Sequence, residues 1–460
     1  MPEFGTSGLR GLATDLTDDL CATYAAAFVA GHAHNGRIFV GQDRRDSSPR
    51  IARAVAAGAA GQGLQVIDCG VLPTPALAAA AISEGTLSIM VTGSHIPADR
   101  NGLKFYTAEG EFTKADEGPL RDRVASWGAP RLVEPERQDF DAAGAFVARY
   151  LEGLPRGVLA DRRIGVWLHS SAAYRVLPDI LEGLGAEVVA LGASESFIPV
   201  DTEAVDEATR ALLSGWVTEH RLDALVSTDG DADRPLMVDD RGEVVPGDIL
   251  GPITARWCGA EEVVTTVSAN TLVDKMGAFR RIARTKIGSP YVIAEMEARG
   301  ADTGTRRVAG YEPNGGFLLG WDVTGAARLS RLMTRDSILP LVAGLAAAAG
   351  AGKTLSGLVA SLPPRRTATD RLKDIPREAS LALVDAILGG DHAVLPDGLG
   401  DLLHVDRTDG VRMTFSSGRI VTVRPSGNAP ELRCYVEAES REVAEALLAE
   451  ALDRLRGAVI

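Results

Sequence analysis

Three aspartates stand at alternate positions in the run Asp229-Gly230-Asp231-Ala232-Asp233. Alternate residues of an extended backbone point to the same side, so the three carboxylates face one another. Their repulsion is unfavourable unless a cation neutralises it, and an all-oxygen ligand set suits Mg²⁺. An EF-hand calcium loop is excluded, because Arg234 and Pro235 follow where that loop needs glycine. The run directly follows the apolar segment 224–226, which favours a metal site over a solvated Asp/Gly turn.

Ser94 lies between Gly93 and His95, just past another apolar segment. A hydroxyl in such a loop can carry a phosphoryl group or act as a nucleophile. Taken alone, Ser94 and His95 are more typical of an ordinary turn than of a catalytic site. Lys104, ten residues later, is one of six lysines in an arginine-rich chain. It is a candidate titratable amine that arginine cannot replace, with a solvated lysine as the alternative.

One further run has the residue types of an anion-binding loop, and a second could fold over a site. Arg424-Pro425-Ser426-Gly427-Asn428 combines a guanidinium fork, two polar side chains and a glycine that lets backbone N–H groups approach an oxyanion. Arg433 offers a second fork. A hairpin turn is an equally good interpretation of this run. The glycine-rich segment 5–11 presents Arg10 and is otherwise typical of a flexible terminus.

The elements that must position these residues alternate between short apolar strands and Ala/Leu-rich helices, which predicts α/β architecture with mixed sheets. The alternation occurs three times. The predicted strands are 37–41, 64–68 and 87–91, then 164–168, 187–191 and 224–227, then 263–267, 281–284 and 307–310. A polar loop follows the third strand of each unit. Because sites in α/β sheets gather beyond the carboxyl ends of strands, we expect these loops to form three walls of one cleft.

Changes in composition divide the chain into four parts around this cleft. A smaller α+β unit, with strands at 420–424 and 432–436 and a closing helix, follows three topologically similar α/β domains. The predicted domains are 1–154 with the serine loop, 155–247 with the metal loop, 248–365 with a sugar-recognition loop, and 366–460 with the phosphate loop. One helix of the second domain is predicted near 203–220.

The composition and net charge limit the kinds of molecule that we expect the protein to bind. The 460 residues are 45% hydrophobic and 24% charged, with a net charge of −14. This acidic balance argues against nucleic acid and anionic membranes but allows a small phosphorylated substrate held by a few arginines. Four dispersed cysteines indicate neither a zinc ribbon nor a disulfide scaffold. The first residues lack the pattern of a signal peptide and no stretch is typical of a membrane span, so we expect a cytoplasmic protein.

At the level of whole loops, the chain resembles the α-D-phosphohexomutases, the phosphomannomutase/phosphoglucomutase superfamily. Five family-type loops occur in the family's order: FGTSGLRG, TGSHIP, DGDADR, GYEPNGG and RPSGN. The resemblance implies four domains and a phosphoryl-transfer cycle. Phosphorylated Ser94 donates its phosphoryl group to a hexose monophosphate, the bisphosphate reorients, and the other phosphoryl group returns to Ser94. Mannose is the favoured hexose and glucose the next, with hexose 1,6-bisphosphate as activator and intermediate.

The resemblance also implies roles for individual residues. It assigns Mg²⁺ to Asp229, Asp231, Asp233 and Ser94; catalysis to Ser94, Arg10, Lys104 and the neighbouring His95; and substrate binding to Arg234, Lys286, Glu312, Asn314, Arg424, Ser426, Gly427, Asn428 and Arg433. The implied partners are small hexose phosphates. The assembly is expected to be a monomer or small homo-oligomer.

The chain departs from the family pattern at four places. Asn428-Ala429 stands where many members have Thr-Glu or Thr-Thr, and Val267-Ser268-Ala269-Asn270 stands where some members place a lysine. The sugar loop reads Glu312-Pro313-Asn314-Gly315-Gly316 where the usual pattern is Glu-x-Ser-Gly-His, and Lys286-Ile287-Gly288-Ser289 lacks the histidine of Lys-x-Gly-His. These changes leave the reaction type in place but make the choice of hexose open. Two alternatives follow: a phosphatase using the same serine and metal, and a non-catalytic sugar-phosphate-binding homologue.

Overall fold

The fold contains four β-sheets, each formed by one stretch of the chain. The structure, a computed structural model, describes residues 2–5, 8–136, 138–301, 306–391, 393–426 and 430–459. Three sheets are mixed and the fourth is antiparallel, so the predicted fold class is confirmed. The boundaries 1–154, 155–247, 248–365 and 366–460 remain our proposal for the four domains.

The first sheet carries the serine loop. Its elements are β1 (Glu3–Phe4), β2 (Leu9–Leu12), α1 (Asp18–Gly31), β3 (Arg37–Gln42), α2 (Ser48–Gly61), β4 (Gln65–Val71), α3 (Thr74–Ser83), β5 (Leu87–Val91), β6 (Arg100–Tyr106), α4 (Lys114–Ser126), β7 (Gln138–Asp139) and α5 (Ala142–Gly153). The strand order is β1-β2-β6-β5-β3-β4-β7, with β3, β4, β5 and β7 parallel. Strand β2 pairs with β6, so Arg10 lies on a sheet strand rather than in a flexible terminus.

The second sheet carries the aspartate loop. Its elements are β8 (Arg163–His169), α6 (Val176–Gly183), β9 (Glu187–Ala193), α7 (Glu207–His220), β10 (Ala224–Thr228), β11 (Pro235–Val238) and β12 (Val244–Val245). Helix α7 begins four residues later than predicted, because the Asp206 carboxylate accepts a hydrogen bond from Thr209 N at 2.9 Å and caps the helix there. The strand order is β12-β11-β10-β8-β9, with β8, β9 and β10 parallel.

The third sheet repeats this plan. Its elements are α8 (Gly247–Trp257), β13 (Glu262–Thr266), α9 (Leu272–Lys275), β14 (Arg281–Thr285), α10 (Ser289–Ala298), β15 (Val308–Tyr311), β16 (Phe317–Leu319), β17 (Leu332–Asp336), α11 (Ile338–Gly350) and α12 (Leu355–Ala360). The strand order is β14-β13-β15-β16-β17. In all three sheets a parallel strand is followed by an antiparallel one, and the loop between them carries the predicted polar run.

The fourth sheet is antiparallel throughout. Its elements are β18 (Arg366–Lys373), α13 (Arg377–Leu388), β19 (Leu402–Asp406), β20 (Val411–Phe415), β21 (Ile420–Pro425), β22 (Glu431–Ala438) and α14 (Arg441–Val459). The strand order is β18-β22-β21-β20-β19. Consecutive short strands joined by hairpins favour this antiparallel order. The phosphate loop joins β21 to β22.

The first three sheets share one apolar core, from Phe39 through Ile164 and Tyr311 to Leu355, and each of them also has a smaller core of its own. The fourth sheet has a separate core with α13 and α14. Helices α1 and α2 pack so closely that a Cβ at Gly58 would collide with the backbone of Ala22. Among the described residues, no helix is both long and apolar enough to span a bilayer.

Candidate active site

The serine loop, residues 92–100, runs from the end of β5 to the first residue of β6 and places Ser94 against the second domain. The Ser94 hydroxyl is buried and donates to Asp229 Oδ2 at 2.7 Å. Its backbone has φ 54°, a left-handed conformation that is unfavourable for serine. Ser94 N donates to Thr92 Oγ1 at 2.7 Å, which helps to hold this conformation. The loop thus presents one hydroxyl to the aspartate run of another domain.

The aspartate loop, residues 229–233, is the hairpin between β10 and β11. Ligand atoms of its three buried carboxylates all lie within 4.8 Å of one another. Asp229 Oδ1 accepts hydrogen bonds from two backbone amides, but Asp231 Oδ1 and Asp233 Oδ1 are buried without a hydrogen-bond partner. Buried carboxylate oxygens with no donor are costly. A divalent cation with oxygen preference fits this set.

Lys104 lies beside the same carboxylates. Its Nζ donates to Asp231 Oδ2 and Asp233 Oδ2, both at 2.6 Å, and the side chain is only 3% exposed. Thr74 Oγ1 also donates to Asp231 Oδ2, at 2.6 Å, and Arg335 donates to Asp233 Oδ2 at 2.7 Å. The alternative of a solvated lysine is therefore wrong. Lys104 is a buried charge in the centre of the site.

The charges around the aspartate loop move its pKa values in opposite directions. Burial, together with the neighbouring Asp231 and Asp233, raises the pKa of Asp229 well above its ordinary value. Burial alone would also raise the pKa of Asp233, but the cations Arg335, Lys104 and Arg234 hold it below the ordinary value. The site is therefore short of positive charge on the Asp229 side, where the Ser94 hydroxyl lies.

His95 and Arg10 flank this centre. His95 Nδ1 is 3.4 Å from Ser94 Oγ. Burial and the nearby Arg234 and Arg10 lower the pKa of His95 well below its usual value, so the ring is neutral at pH 7. Burial, followed by the charges of Arg234 and Arg335, lowers the pKa of Arg10 to about 10, so its guanidinium stays charged. Arg10 can stabilise anionic charge but does not accept a proton near neutrality.

The sugar loop, residues 312–316, joins β15 to β16. Glu312 is buried and lies 3.5 Å from Arg335 Nη1. Asn314 Oδ1 accepts from Gly316 N at 3.0 Å, and Asn314 O accepts from Thr202 Oγ1 at 2.8 Å. The oxygen of the Asn314 side chain therefore supports the loop, and the loop itself is fixed to the second domain.

Ser289 stands where the family pattern has a histidine. Its hydroxyl donates to Glu111 Oε2 at 2.9 Å, and Thr334 Oγ1 donates to Glu111 Oε1 at 2.8 Å. Glu111 belongs to the first sheet's stretch of chain, whereas Ser289 and Thr334 belong to the third. Ser289 thus takes part in an interdomain contact.

The residues predicted to bind phosphate lie on the fourth sheet. Arg424 and Arg433 are direct cross-strand partners, which places them on one face. Arg424 Nε donates to Asp409 Oδ1 at 3.2 Å, and Ile287 N donates to Asp409 Oδ2 at 3.0 Å. Lys286, next to Ile287, is exposed. Ser426 is buried, and the predicted ligands Gly427 and Asn428 lie outside the described residues.

Glu203, in the second domain, is a further carboxylate with a shifted pKa. The charges of Arg234, Arg433 and Glu312 all act on its carboxyl. Burial, followed by the charge of Asp201, raises the pKa of Glu203 to about 7. The contact of Ser94 with Asp229, and those of Arg335 with both Asp233 and Glu312, bring the serine, aspartate and sugar loops together, as the topology predicts.

Sequence reasoning missed several residues of the site. They are Asp43, Arg45, Thr74, Glu203, Arg335 and Asp409. The run Asp43-Arg44-Arg45 follows β3 as the other polar runs follow their strands, so the rule for strand ends would have found it. Asp409 belongs to a hairpin turn, and no local pattern distinguishes it.

Comparisons with known proteins find relatives along the whole chain. Models of four phosphoglucomutase/phosphomannomutase domains match the chain: alpha/beta/alpha domain I at residues 1–128, domain II at 148–242, domain III at 246–365 and the C-terminal domain at 372–454. A phosphomannomutase of Sinorhizobium fredii is 44% identical over 474 aligned positions, covering 100% of both chains. A phosphomannomutase of Salmonella muenchen is 42% identical, covering 95% of this chain and 92% of its own.

The fold is also similar to that of a solved structure. The crystal structure of a phosphoglucomutase/phosphomannomutase family protein of Burkholderia thailandensis superposes with a TM-score of 0.77 at 20% identity, covering 98% of this chain and 97% of the other. The four domain models match in order along the chain, and two relatives that cover nearly all of it are more than 40% identical to it. Together these findings identify the family. The chain belongs to the phosphoglucomutase/phosphomannomutase family of phosphohexomutase isomerases.

Proposed function

We propose that the chain is a Mg²⁺-dependent phosphomannomutase that interconverts mannose 1-phosphate and mannose 6-phosphate through a phosphoserine at Ser94. Glucose phosphates are its second substrates. The observation that carries the proposal is the 2.7 Å contact between the Ser94 hydroxyl and Asp229 across two domains. The names of the full-length relatives support mannose as the preferred hexose.

The residues that would hold the ion are Asp229, Asp231, Asp233 and the oxygen of Ser94. The two carboxylate oxygens without a donor support this assignment. When bound, magnesium neutralises charge on the oxygens of a transferring phosphoryl group. Lys104 and Arg10 add fixed positive charge beside the same carboxylates, and we assign both to stabilising the transfer.

The proposed reaction cycle consists of two phosphoryl transfers. The oxygen of a free sugar hydroxyl bonds to phosphorus as the bond between Ser94 Oγ and phosphorus breaks. The proton of that hydroxyl passes to a base in the cleft, and the freed Ser94 Oγ takes up a proton. The resulting hexose 1,6-bisphosphate then changes its orientation in the cleft. Its other phosphoryl group then moves to Ser94 Oγ, and the released sugar oxygen takes a proton. Neutral His95, 3.4 Å from Ser94 Oγ, is placed to receive a proton from Ser94 itself.

Substrate recognition is divided among the second, third and fourth domains in this proposal. Glu312 and Asn314 hydrogen-bond the sugar hydroxyls, and Arg234 and Lys286 contribute from the loops on either side. The non-reacting phosphate is held by Arg424, Ser426 and Arg433, with Gly427 and Asn428 completing the loop. The cross-strand pairing of the two arginines supports a bidentate grip on one phosphate.

A coupled assay tests the proposal. The 1-phosphates of mannose, glucose and glucosamine are compared side by side, with catalytic hexose 1,6-bisphosphate and Mg²⁺. We expect the highest kcat/KM with mannose and loss of turnover in Ser94→Ala. Ser83→Ala is the matched control, since that hydroxyl donates only to the nearby Ala80 O. Full activity in Ser94→Ala would contradict the mechanism, and phosphate release equal to sugar consumption would indicate the phosphatase alternative.

A further inference from the structure

Arg45 is a fully buried arginine that holds the serine loop by its backbone. Its Nε donates to Asp43 Oδ2 at 3.2 Å. Its terminal nitrogens donate to Ser94 O at 2.9 Å, Ile96 O at 2.6 Å, Pro97 O at 2.6 Å and Arg100 O at 2.9 Å. The five N–H groups of one guanidinium are thus all used, four of them on a single loop. Among the described residues, no other side chain makes as many hydrogen bonds to the serine loop.

The attachment acts directly on the peptide groups of Ser94. Its carbonyl accepts from Arg45, and its amide donates to Thr92 Oγ1. Thr92 Oγ1 in turn donates to Asp43 Oδ2 at 2.7 Å. The buried Asp43–Arg45 pair therefore holds the backbone on both sides of a residue with left-handed φ. Gly93 is needed here, because a Cβ on it would lie 2.7 Å from the Arg45 guanidinium.

Phe197 connects this attachment to the aspartate loop. Its ring belongs to the second domain and lies 3.8 Å from the guanidinium carbon of Arg45. Two atoms of the same ring, Cζ and Cε2, lie close to Gly230, where an added Cβ would lie 2.7 Å from the ring and 2.8 Å from Ser94 O. One aromatic ring thus touches both the arginine that holds Ser94 and the loop that contains Asp229.

We propose that Arg45, covered by Phe197, is a positioning residue for phosphoryl transfer. It fixes the place of Ser94 Oγ relative to the three carboxylates and touches neither substrate nor ion. The inference rests on the proposed function, since it concerns the same nucleophile. An error of about 1 Å at a reacting atom costs about 100-fold in rate. Binding of the sugar phosphate should change little, because its predicted ligands lie on other loops.

The decisive variant is Arg45→Lys, which keeps the charge but cannot reach four carbonyls with one planar group. We expect kcat to fall about 100-fold, with KM for mannose 1-phosphate close to the wild-type value. Labelling with hexose 1,6-bisphosphate should phosphorylate Ser94 to the wild-type extent per folded chain, but more slowly. Arg44→Lys is the matched control: Arg44 contacts His169 O and Glu195 rather than the serine loop, and its variant should keep the wild-type kcat.

Two results would overturn the inference. One is a folded Arg45→Lys enzyme with wild-type kcat. The other is a fall in labelled fraction that accounts for the whole loss of kcat, since this indicates a structural role only. If Arg45→Lys does not fold, Phe197→Leu takes its place, with kcat expected to fall about tenfold at unchanged KM; an unchanged kcat refutes the inference. Absence of turnover in the wild type with every hexose phosphate would instead refute the proposed function.

Discussion

Asp409 forms an ion pair with Arg424, the arginine that we propose binds the substrate phosphate. It accepts from Arg424 Nε at 3.2 Å and from Ile287 N at 3.0 Å, and so joins the fourth domain to the third. The two side chains are 17% and 13% exposed, so the pair is only partly screened by solvent. A substrate phosphate that binds Arg424 must compete with this carboxylate. We therefore expect Asp409→Asn to bind hexose phosphates more tightly than the wild type.

The magnitude follows from the contact that is lost. A hydrogen bond to a charged group contributes about 1.5–3 kcal/mol, and partial exposure favours the lower value. Each 1.4 kcal/mol corresponds to a factor of ten, so the dissociation constant should fall about tenfold. Asparagine keeps an oxygen for Ile287 N, so the contact between the domains is weakened but not removed. The same change should cost the free enzyme about 1 kcal/mol of stability.

The measurement is calorimetric titration of mannose 6-phosphate into Asp409→Asn, with KM from the coupled assay as a second value. Asp401→Asn is the control, because it removes the same charge from an exposed position of the same domain. It should leave the dissociation constant within about twofold of wild type. An unchanged or weaker affinity in Asp409→Asn would refute competition. Asp409 would then remain on Arg424 in the complex and orient it.

Three other predictions concern stability. Burial raises the pKa of Asp248 to about 6, so ionisation is disfavoured in the fold: stability should fall by up to about 3 kcal/mol from pH 4 to pH 7. In Asp248→Asn, urea unfolding should lack this dependence; an identical pH profile would contradict it. Mg²⁺ at 100 times its dissociation constant should stabilise the wild type by about 2.7 kcal/mol; a thermal shift retained in Asp231→Asn would contradict the proposed ligands. Gly58→Ala, whose methyl group meets Ala22, should cost about 1–3 kcal/mol by urea unfolding, and unchanged stability would show that α1 and α2 separate easily.

Local patterns were sufficient to predict most elements of the three α/β units. Predicted strand 87–91 coincides with β5, and strands 187–191 and 281–284 differ from β9 and β14 only at their carboxyl ends. The strands are short apolar runs bounded by polar residues, so their limits are visible in the sequence itself. The start of α7 was misplaced, because the cap at Asp206 competes with other acidic residues in the same run.

The convergence of the loops was predictable, but its atomic detail was not. Ser94 and Asp229 are 135 residues apart, and strand topology brings their loops to one edge without determining which atoms meet. The contacts of Lys104 with Asp231 and Asp233 depend on β6 running antiparallel beside β5, a pairing that no short pattern specifies. Residues whose contacts cross from one domain to another were therefore the hardest to predict from the sequence.

The separate core of the fourth domain has a consequence for how the protein opens. The first three sheets share apolar contacts from Phe39 to Leu355, whereas the fourth is closed around its own residues, from Ala368 to Leu455. Regions that share a core lose their amide protection together, and a region with its own core can open by itself. Hydrogen exchange should therefore divide the molecule into one large cooperative unit and one small one. The boundary between them runs through the phosphate side of the cleft, so a transient opening there exposes Arg424 while the serine and aspartate loops stay in contact.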